Sequence, residues 1–239
     1  MAKYGSDKVS FFLIDGLDIL GTITQFDDKA EAVTERTDTL GDGWEENTYA
    51  GLRKAEITQE GFYDDAVGSV HDALSSGPGI SRVLSYCLEG TATGQRFVGW
   101  AGAMQVNYQR QAARGTLTKA KANYRNNGAL EQGRVLFPYN LAASTGRKNT
   151  IDNAVSSTGG AGYLQYNATA GEANIRILHS SDNVSFATLI TFTKTASGHG
   201  AERITTTGSI KRYTAADFTT ASATGAIAVL NAFVGLVRV

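Results

Sequence analysis

Short segments in which apolar and polar side chains alternate recur along almost the whole chain. A period of two is typical of β-strands that bury one face. In the first half the segments are residues 9–14, 18–26, 29–37, 54–62, 81–88, 97–108, 116–124 and 133–137. Turn residues separate them, among them Asp15-Gly16, Asp27-Asp28 and Asn126-Asn127-Gly128. Because Asn and Gly tolerate positive φ, we expect the last of these to close a hairpin. The pattern predicts an all-β fold.

One stretch, residues 64–75, has helical spacing instead. The apolar residues on one face of that helix would be Val67, Val70 and Leu74. Asp64 or Asp65 could cap its start, and Gly77-Pro78-Gly79 would end it. We expect this to be the only substantial helix, because no other stretch has this period at a comparable length.

A shift in composition divides the chain. Residues 141–162 are rich in Ala, Ser, Thr and Gly, which is typical of a linker followed by a new unit. We therefore predict a first domain at residues 1–141, a linker at 142–150 and a second domain at 151–239. About seven strands in the second domain suggest a small antiparallel β-sandwich.

Composition excludes several classes of protein. A formal net charge of −1 argues against a general nucleic-acid binder or a basic membrane-surface protein. A single cysteine, Cys87, excludes an intramolecular disulfide and a cysteine-based zinc site. The polar N-terminus resembles no signal peptide, and no apolar run approaches the roughly 20 residues that span a bilayer. We expect a protein that is made in the cytoplasm, stays soluble until it assembles and does not enter a membrane.

Charge is distributed unevenly even though its sum is small. Residues 1–100 carry 17 acidic and 8 basic side chains, whereas residues 101–150 carry one acid, Glu131, and eight bases. Copies of one protein that carry both signs can stack head to tail. The alternative is that both regions are ordinary solvated surface, where ion pairs contribute little.

Candidate catalytic, cofactor and metal residues are absent from the sequence pattern. Asp64 and Asp65 are adjacent, so on a helix start their carboxyls would diverge rather than face one substrate. His71 has no nucleophile near it in sequence, and Cys87 lies in a strand, where a free cysteine is most often a buried hydrophobe. No phosphate-binding glycine motif or calcium-loop spacing occurs. We expect a structural or binding protein and no enzyme.

A long acidic stretch, residues 37–52, contains two large aromatic residues. Loops of this length in compact domains are uncommon unless they are functional or disordered, and exposed Trp and Tyr favour a contact. One interpretation is a loop that reaches another subunit; the other is a loop folded onto its own domain, with Trp44 filling the core. The candidate contact residues are Asp42, Trp44, Glu45, Glu46 and Tyr49.

Several motifs carry a resemblance to a known family. They are Lys3 to Asp7, Phe12 to Gly16, Gly51 to Lys54, Gly61 to Asp65 and Gly128 to Leu136, in this order around the acidic stretch. In order and spacing they resemble the major tail tube proteins of long-tailed, non-contractile bacteriophages. The resemblance covers residues 1 to about 140. Residues 163–166 and 175–182 are similar to the extra C-terminal sandwich that some of these proteins display outside the tube.

The resemblance implies a β-sandwich with one flanking helix. Six copies would form a ring whose inner sheets join into one β-barrel, and stacked rings would form a tube through which double-stranded DNA passes. Residues 37–52 would match the family's stacking loop, which contacts the neighbouring ring. The implied partners are further copies of the chain, a tape measure protein and a tail terminator, in a virion assembled in the host cytoplasm. The second domain would be dispensable for rings.

Two other functions remain open from the sequence. A carbohydrate-binding protein of two sandwiches would use aromatic platforms such as Tyr163, Tyr166 and Tyr213, although buried tyrosines would serve a core equally well. A polysaccharide hydrolase would need Asp64, Asp65 and acids of the loop to act together.

Overall fold

The computed structural model describes residues 8–37, 47–90, 92–139, 144–168, 173–193, 198–220 and 230–239. One short α-helix, α1 at Val70–Leu74, accompanies the strands in these ranges. In the first half the strands are β1 Phe11–Ile14, β2 Leu17–Asp18, β3 Ile23–Arg36, β4 Asn47–Phe62, β5 Ser81–Cys87, β6 Arg96–Gln111, β7 Lys119–Asn126 and β8 Leu130–Phe137. In the second half they are β9 Gly146–Arg147, β10 Ile151–Asp152, β11 Ser157–Ala168, β12 Ala173–Ser180, β13 Ala187–Thr191, β14 Gly198–Ile210, β15 Tyr213–Thr220 and β16 Leu230–Arg238. The predicted all-β class with one helix is confirmed.

The strands form two antiparallel sheets. The larger sheet follows the order β14, β11, β16, β8, β6, β5, β1, β2, and β7, β4 and β3 extend from β6 as a branch. The smaller sheet has the order β10, β15, β12, β13, with β9 beside β15. Between the smaller sheet and strands β8, β11 and β16 lies a core that includes Leu164, Ile175, Phe218 and Val234. This part of the molecule is therefore a β-sandwich.

Strand β1 has both faces buried. Phe12 and Ile14 belong to a core that they share with α1 and with strands of the branch. Phe11 and Leu13 belong to a separate core that contains residues of β11 and β16, where the Phe11 and Phe233 ring centroids are 4.9 Å apart. Four consecutive apolar residues in β1 therefore tie the two halves of the chain together.

The large sheet crosses the predicted domain boundary. Strand β16 pairs with β8 through Gly235 and Val135, and on its other side with β11. Strand β9 lies inside the segment predicted as a linker, and it pairs with β15. The division into residues 1–141 and 151–239 stays a prediction, but the two segments share one sheet.

The predicted turn at Asp15-Gly16 joins β1 to β2 and contacts the second half. Both residues have positive φ, 48° and 86°. The Gly16 N–H donates to Gln165 Oε1 at 2.8 Å, and the Gly16 carbonyl accepts from the Tyr139 hydroxyl at 2.7 Å. A Cβ on Gly16 would lie 2.1 Å from the Tyr166 carbonyl oxygen, so only glycine fits.

The turn predicted at Asp27-Asp28 is wrong. Both residues lie inside β3, where they pair with Thr58 and Ile57. Their side chains point to opposite faces of the sheet, and the carboxylate of the exposed Asp28 accepts a 2.6 Å hydrogen bond from the Tyr86 hydroxyl. Tyr86 on β5, far away in sequence, supplies the hydrogen bond to Asp28. The local pattern does not show this partner and therefore assigns Asp28 to a turn.

The hairpin predicted at Asn126-Asn127-Gly128 is also wrong. Strands β7 and β8 both pair with β6, through Ala103 opposite Asn126 and Trp100 opposite Leu130. The chain therefore bends at residues 127–129 and continues along the same strand. The bend is close to β6, because a Cβ on Gly102 would lie 2.5 Å from the Asn127 carbonyl oxygen. The actual hairpin turn of this ribbon is at residues 112–118.

The helix is shorter than the predicted residues 64–75. Gly68 has a φ of 79°, which an α-helix does not accommodate, so α1 begins after Ser69. Asp64 accepts a hydrogen bond from the Ala66 N–H in the preceding turn rather than capping the helix. Val67, predicted to share one helix face with Val70 and Leu74, lies outside the helix and is 99% exposed.

Candidate functional site

The most unusual feature of the fold is the branch of the large sheet. It contains β3, β4, β7 and the second half of β6 in that order, all antiparallel. Across it, Asp27 stands opposite Thr58, Thr58 opposite Asn123, and Asn123 opposite Asn107. We call these four strands the branch sheet.

One face of the branch sheet covers a core of the same chain. Ile57, Ala122 and Tyr124 on this face are fully buried. Phe26 on β3 packs edge-on against Phe12 and Tyr86, with ring centroids 5.5 and 5.4 Å away. The fully buried Phe12 and Tyr86 hold this face against β1 and β5. This face of the branch sheet is therefore covered by the same chain.

The opposite face of the branch sheet is polar and mixes charges of both signs. Glu31 bonds both Lys29 and Lys54, and these hydrogen bonds lower the pKa of the Glu31 carboxyl. Lys119 bonds Glu60 at 2.8 Å and lowers the pKa of that carboxyl in the same way. Acids and bases alternate across the strands, so this face carries little net charge.

Two margins of the branch sheet have no strand beside them in the described part of the chain. Strand β3, 14 residues long, pairs with β4 alone. On the far side, β5 pairs with β6 only as far as Met104, so residues 106–111 of β6 are paired with β7 alone. Rows of backbone groups at such margins are templates for pairing with another chain. Pairing of this kind depends on the whole topology, and no local pattern of residues indicates which strands have an open margin.

One of the five predicted contact residues lies at the end of the branch sheet where β3 ends and β4 begins. Asp42, Trp44, Glu45 and Glu46 are outside the described residues. Tyr49 is described, and it lies in β4 opposite Thr34 with 49% of its surface exposed. Residues 47–52, which we expected to belong to the loop, are therefore part of β4. Their pairing with β3 includes an irregularity near Ala32, which obscures the alternation in the sequence.

The opposite end of the branch sheet is basic. Register places Phe62 of β4 opposite Lys119 of β7, and Lys119 opposite Gln111 of β6. The turn that follows β6, residues 112–118, exposes Arg114 and 70% of the Leu117 surface. The bases at this end are Arg110, Arg114, Lys119 and Lys121. The excess of bases in residues 101–150 is the feature of the sequence that could have indicated this basic end. The turn at residues 112–118 was not predicted as a contact site.

No protein-family model and no curated protein matches this chain. Among solved structures, a chain from the tail of an empty gene transfer agent particle with C6 symmetry aligns with 54% of this chain and 97% of its own length. Its identity is 15% and its TM-score 0.41. A chain from the virion of a native gene transfer agent particle gives the same values. The Dit protein of phage SPP1 aligns with 95% of this chain and 98% of its own length, at 11% identity and a TM-score of 0.35. Likenesses of this strength carry no argument about function.

The residues considered for chemistry are dispersed. His71 Nδ1 lies 3.2 Å from the Tyr108 hydroxyl under the branch sheet. The Asp64 carboxylate accepts a hydrogen bond from the Ala66 N–H. Cys87 is buried, burial raises the pKa of its thiol, and its Sγ contacts the Gly90 and Arg96 carbonyl oxygens. Within the described ranges, no group of three or more His, Cys, Asp or Glu side chains could hold a metal ion.

Two of the tyrosines considered as sugar-binding platforms, Tyr163 and Tyr213, already contact other side chains of the same chain. Tyr163 is fully buried, and its hydroxyl donates to Glu131 at 2.5 Å. The guanidinium carbon of Arg212 lies 5.0 Å from the Tyr213 ring centroid. The described part of the chain also contains no helix that is both long and apolar enough to span a membrane.

Proposed function

We propose that this chain is the tube subunit of a phage tail, in which six copies form a ring and the rings stack into a conduit for double-stranded DNA. The observation that carries the proposal is the pair of open margins on opposite sides of the branch sheet. The branch sheet has one face on its own core, one polar face and two open margins. Its margins can pair with the margins of further copies, and the joined sheets can then close into a barrel. The motifs that resemble the tail tube family lie in the same half of the chain.

Ring closure would join β3 of one copy to residues 106–111 of β6 in the next. Each copy has one β3 margin and one β6 margin, so two different surfaces meet at every contact and the contact is heterologous. Such a contact produces a closed ring when the rotation from one copy to the next is a whole fraction of 360°. Six copies of a four-stranded sheet would give a closed barrel of 24 strands, with no open margin left.

The polar face of the branch sheet would then line the channel. DNA binds strongly to surfaces whose Lys and Arg side chains neutralise its phosphates. On this face Lys29, Lys54 and Lys119 are each engaged by Glu31 or Glu60. A lining with little net charge would let DNA slide through without being held. The other tail proteins expected to meet the tube are a tape measure protein and a terminator.

Stacking would bring the two ends of the branch sheet together. The connection between β3 and β4 includes Asp42, Glu45 and Glu46, and the opposite end presents the exposed basic turn at residues 112–118. Opposite charges at the two ends favour head-to-tail contact between rings. Trp44 and Tyr49 would supply the apolar part of that contact, against a surface that includes Leu117.

Cross-linking of paired cysteines tests ring closure. The variant Ala32→Cys with Asn107→Cys places one thiol on each open margin, and the native Cys87 is buried. With a short bis-maleimide we expect covalent ladders up to six copies, and negative-stain microscopy should show rings about 100 Å wide. The control, Asn107→Cys with Ser181→Cys, moves one thiol to an exposed turn of the smaller sheet and should give no ladder. A strictly monomeric protein at high concentration, without a ladder, would contradict the proposal.

A further inference from the structure

A cleft of about 440 Å³ lies at one end of the sandwich, away from the branch sheet. Strands β6, β8 and β16 form its floor, and the turn after β10 forms one wall. The residues around it include Arg96, Arg134, Asp152, Leu236 and Arg238. None of them was singled out by the sequence as a site, and the proposed tube leaves the cleft without a role.

Three of these side chains are arginines on neighbouring strands. Arg96 stands directly opposite Arg134 across the β6–β8 pair, and Arg134 stands opposite Leu236, two residues before Arg238. Like charges directly opposite each other in a sheet are destabilising. Burial lowers the pKa of Arg238, and the Arg134 charge lowers it further. Arg134 and Arg238 are therefore close enough to repel each other.

The positive charge of the cleft is poorly matched by acids of the same chain. The carboxylate of Asp152 is taken by Arg212, which donates to it from Nε at 2.7 Å and from Nη2 at 2.6 Å. Glu89 reaches Arg96 only at 4.0 Å. In the described part of the chain, no carboxylate lies within ion-pair distance of Arg134 or Arg238.

The polar contacts of these two guanidinium groups are backbone carbonyls. Arg134 Nη1 donates to the Gly94 oxygen at 2.7 Å, and Arg238 Nη2 donates to the Val155 oxygen. The Nε of Arg238 is buried with no partner among the described residues. Carbonyl contacts fix the direction of a guanidinium group and leave its charge uncompensated. These contacts hold two cations, Arg134 and Arg238, beside one open volume, and the exposed Arg96 lies next to them.

We propose that this cleft binds a phosphate group. Guanidinium groups present rigid forks of N–H donors that match phosphate oxygens in bidentate pairs, and several forks can surround one tetrahedral anion. The phosphate could be free or part of a phosphodiester polymer, since both present non-ester oxygens to the arginines. The inference does not depend on the proposed tube, because all residues of the cleft belong to one copy.

Calorimetric titration of the full-length protein tests the proposal. Inorganic phosphate, dimethyl phosphate and acetate are titrated separately in chloride buffers of equal ionic strength. We expect phosphate to bind, and Arg96→Gln and Arg134→Gln each to weaken it by about tenfold, the loss of one charged hydrogen-bond pair. The matched control, Arg53→Gln, removes an exposed arginine of β4 in the branch sheet, away from the cleft, and should leave the affinity unchanged.

The two phosphate probes separate the sources of the ligand. Binding of inorganic phosphate alone indicates a free phosphate, and binding of dimethyl phosphate as well indicates a phosphodiester backbone. Arg96 is the safer variant for folding, because 68% of its side chain is exposed. Equal binding of acetate, or phosphate binding that Arg96→Gln leaves unchanged, would overturn the proposal, as would the absence of binding to the native chain.

Discussion

At the scale of single residues, Glu131 links the two halves of the chain through a partly buried network. Arg203 of β14 donates to Glu131 from Nε at 2.9 Å and from Nη2 at 2.5 Å, and the Tyr163 hydroxyl donates to the same carboxylate. Burial alone would raise the pKa of Glu131, but these hydrogen bonds and the Arg203 charge outweigh it and lower the pKa. The Glu131 side chain is 17% exposed, so little solvent screens the interaction.

The variant Glu131→Gln should lower the free energy of unfolding by about 2 kcal/mol at pH 7, because Arg203 loses its charged partner. A carboxyl whose pKa is lowered by folding contributes stability above its unfolded pKa, about 4.5, and loses it as the pH falls through the folded value. Urea unfolding of both proteins between pH 7 and pH 3 measures the difference.

The difference between the two proteins should shrink at the acid end. Asp15 and Asp18, whose pKa values burial raises, contribute in the opposite direction in both proteins and cancel in the comparison. A stability difference that stays constant down to pH 3 would show that the Glu131 charge is not what holds Arg203.

Gly16 is a second residue on which the contact between halves depends. Gly16→Ala should destabilise the protein by about 1–3 kcal/mol from its positive φ alone, with the close approach to Tyr166 adding to the cost. Thermal unfolding measures the loss. The matched control is Gly79→Ala, whose φ is similar, 84°, but whose Cβ would meet nothing within 4 Å. Equal losses in both variants would mean that the Tyr166 contact is unimportant.

At the scale of elements, the proposed contact between rings pairs the acidic connection between β3 and β4 with the basic turn at residues 112–118, and a charge exchange tests it. Arg114→Glu should leave rings intact, because Arg114 lies outside the ring-closing residues 106–111, and should abolish stacking, because the turn at residues 112–118 becomes acidic. Adding Glu45→Lys with Glu46→Lys should restore tubes. Electron microscopy of tube length measures both effects. Lys211→Glu, in the β14–β15 turn, is the control for a change of charge alone.

Deletion of residues 40–46 tests the same contact from the other side. The deletion spares β3, which ends at Arg36, and β4, which begins at Asn47. We expect rings without tubes, since the acidic and aromatic residues of the connection are gone. Tubes of normal length would show that this connection has no role in stacking.

The same elements show what the sequence could and could not predict. Alternation located most strands, because a half-buried strand is a local pattern. It failed at Asp28 and at Asn127, where a distant partner supplies the hydrogen bond: Tyr86 in the first case and Gly102 in the second. The open margins of β3 and β6 and the arginine cleft arise from pairing between segments far apart in the chain, which no local pattern encodes.

At the scale of the whole molecule, the structure changes the expectation for a truncated chain. We expected residues 151–239 to be dispensable for rings. Strands β11 and β16 cover Phe11, Leu13 and Phe97 in a shared core. A chain that ends at residue 141 should therefore expose this apolar surface and aggregate or lose its cooperative unfolding transition. Size-exclusion chromatography with thermal unfolding checks it. A soluble, cooperatively folding fragment that still forms rings would restore the two-domain prediction.

The place of β16 between β8 and β11 has a consequence for biosynthesis. Until the ribosome has released residues 230–238, β8 and β11 lack the strand that joins them. Contacts between segments so far apart in sequence form late and slowly. We therefore predict that ring formation in the proposed tube starts only after β16 has paired with β8 and β11.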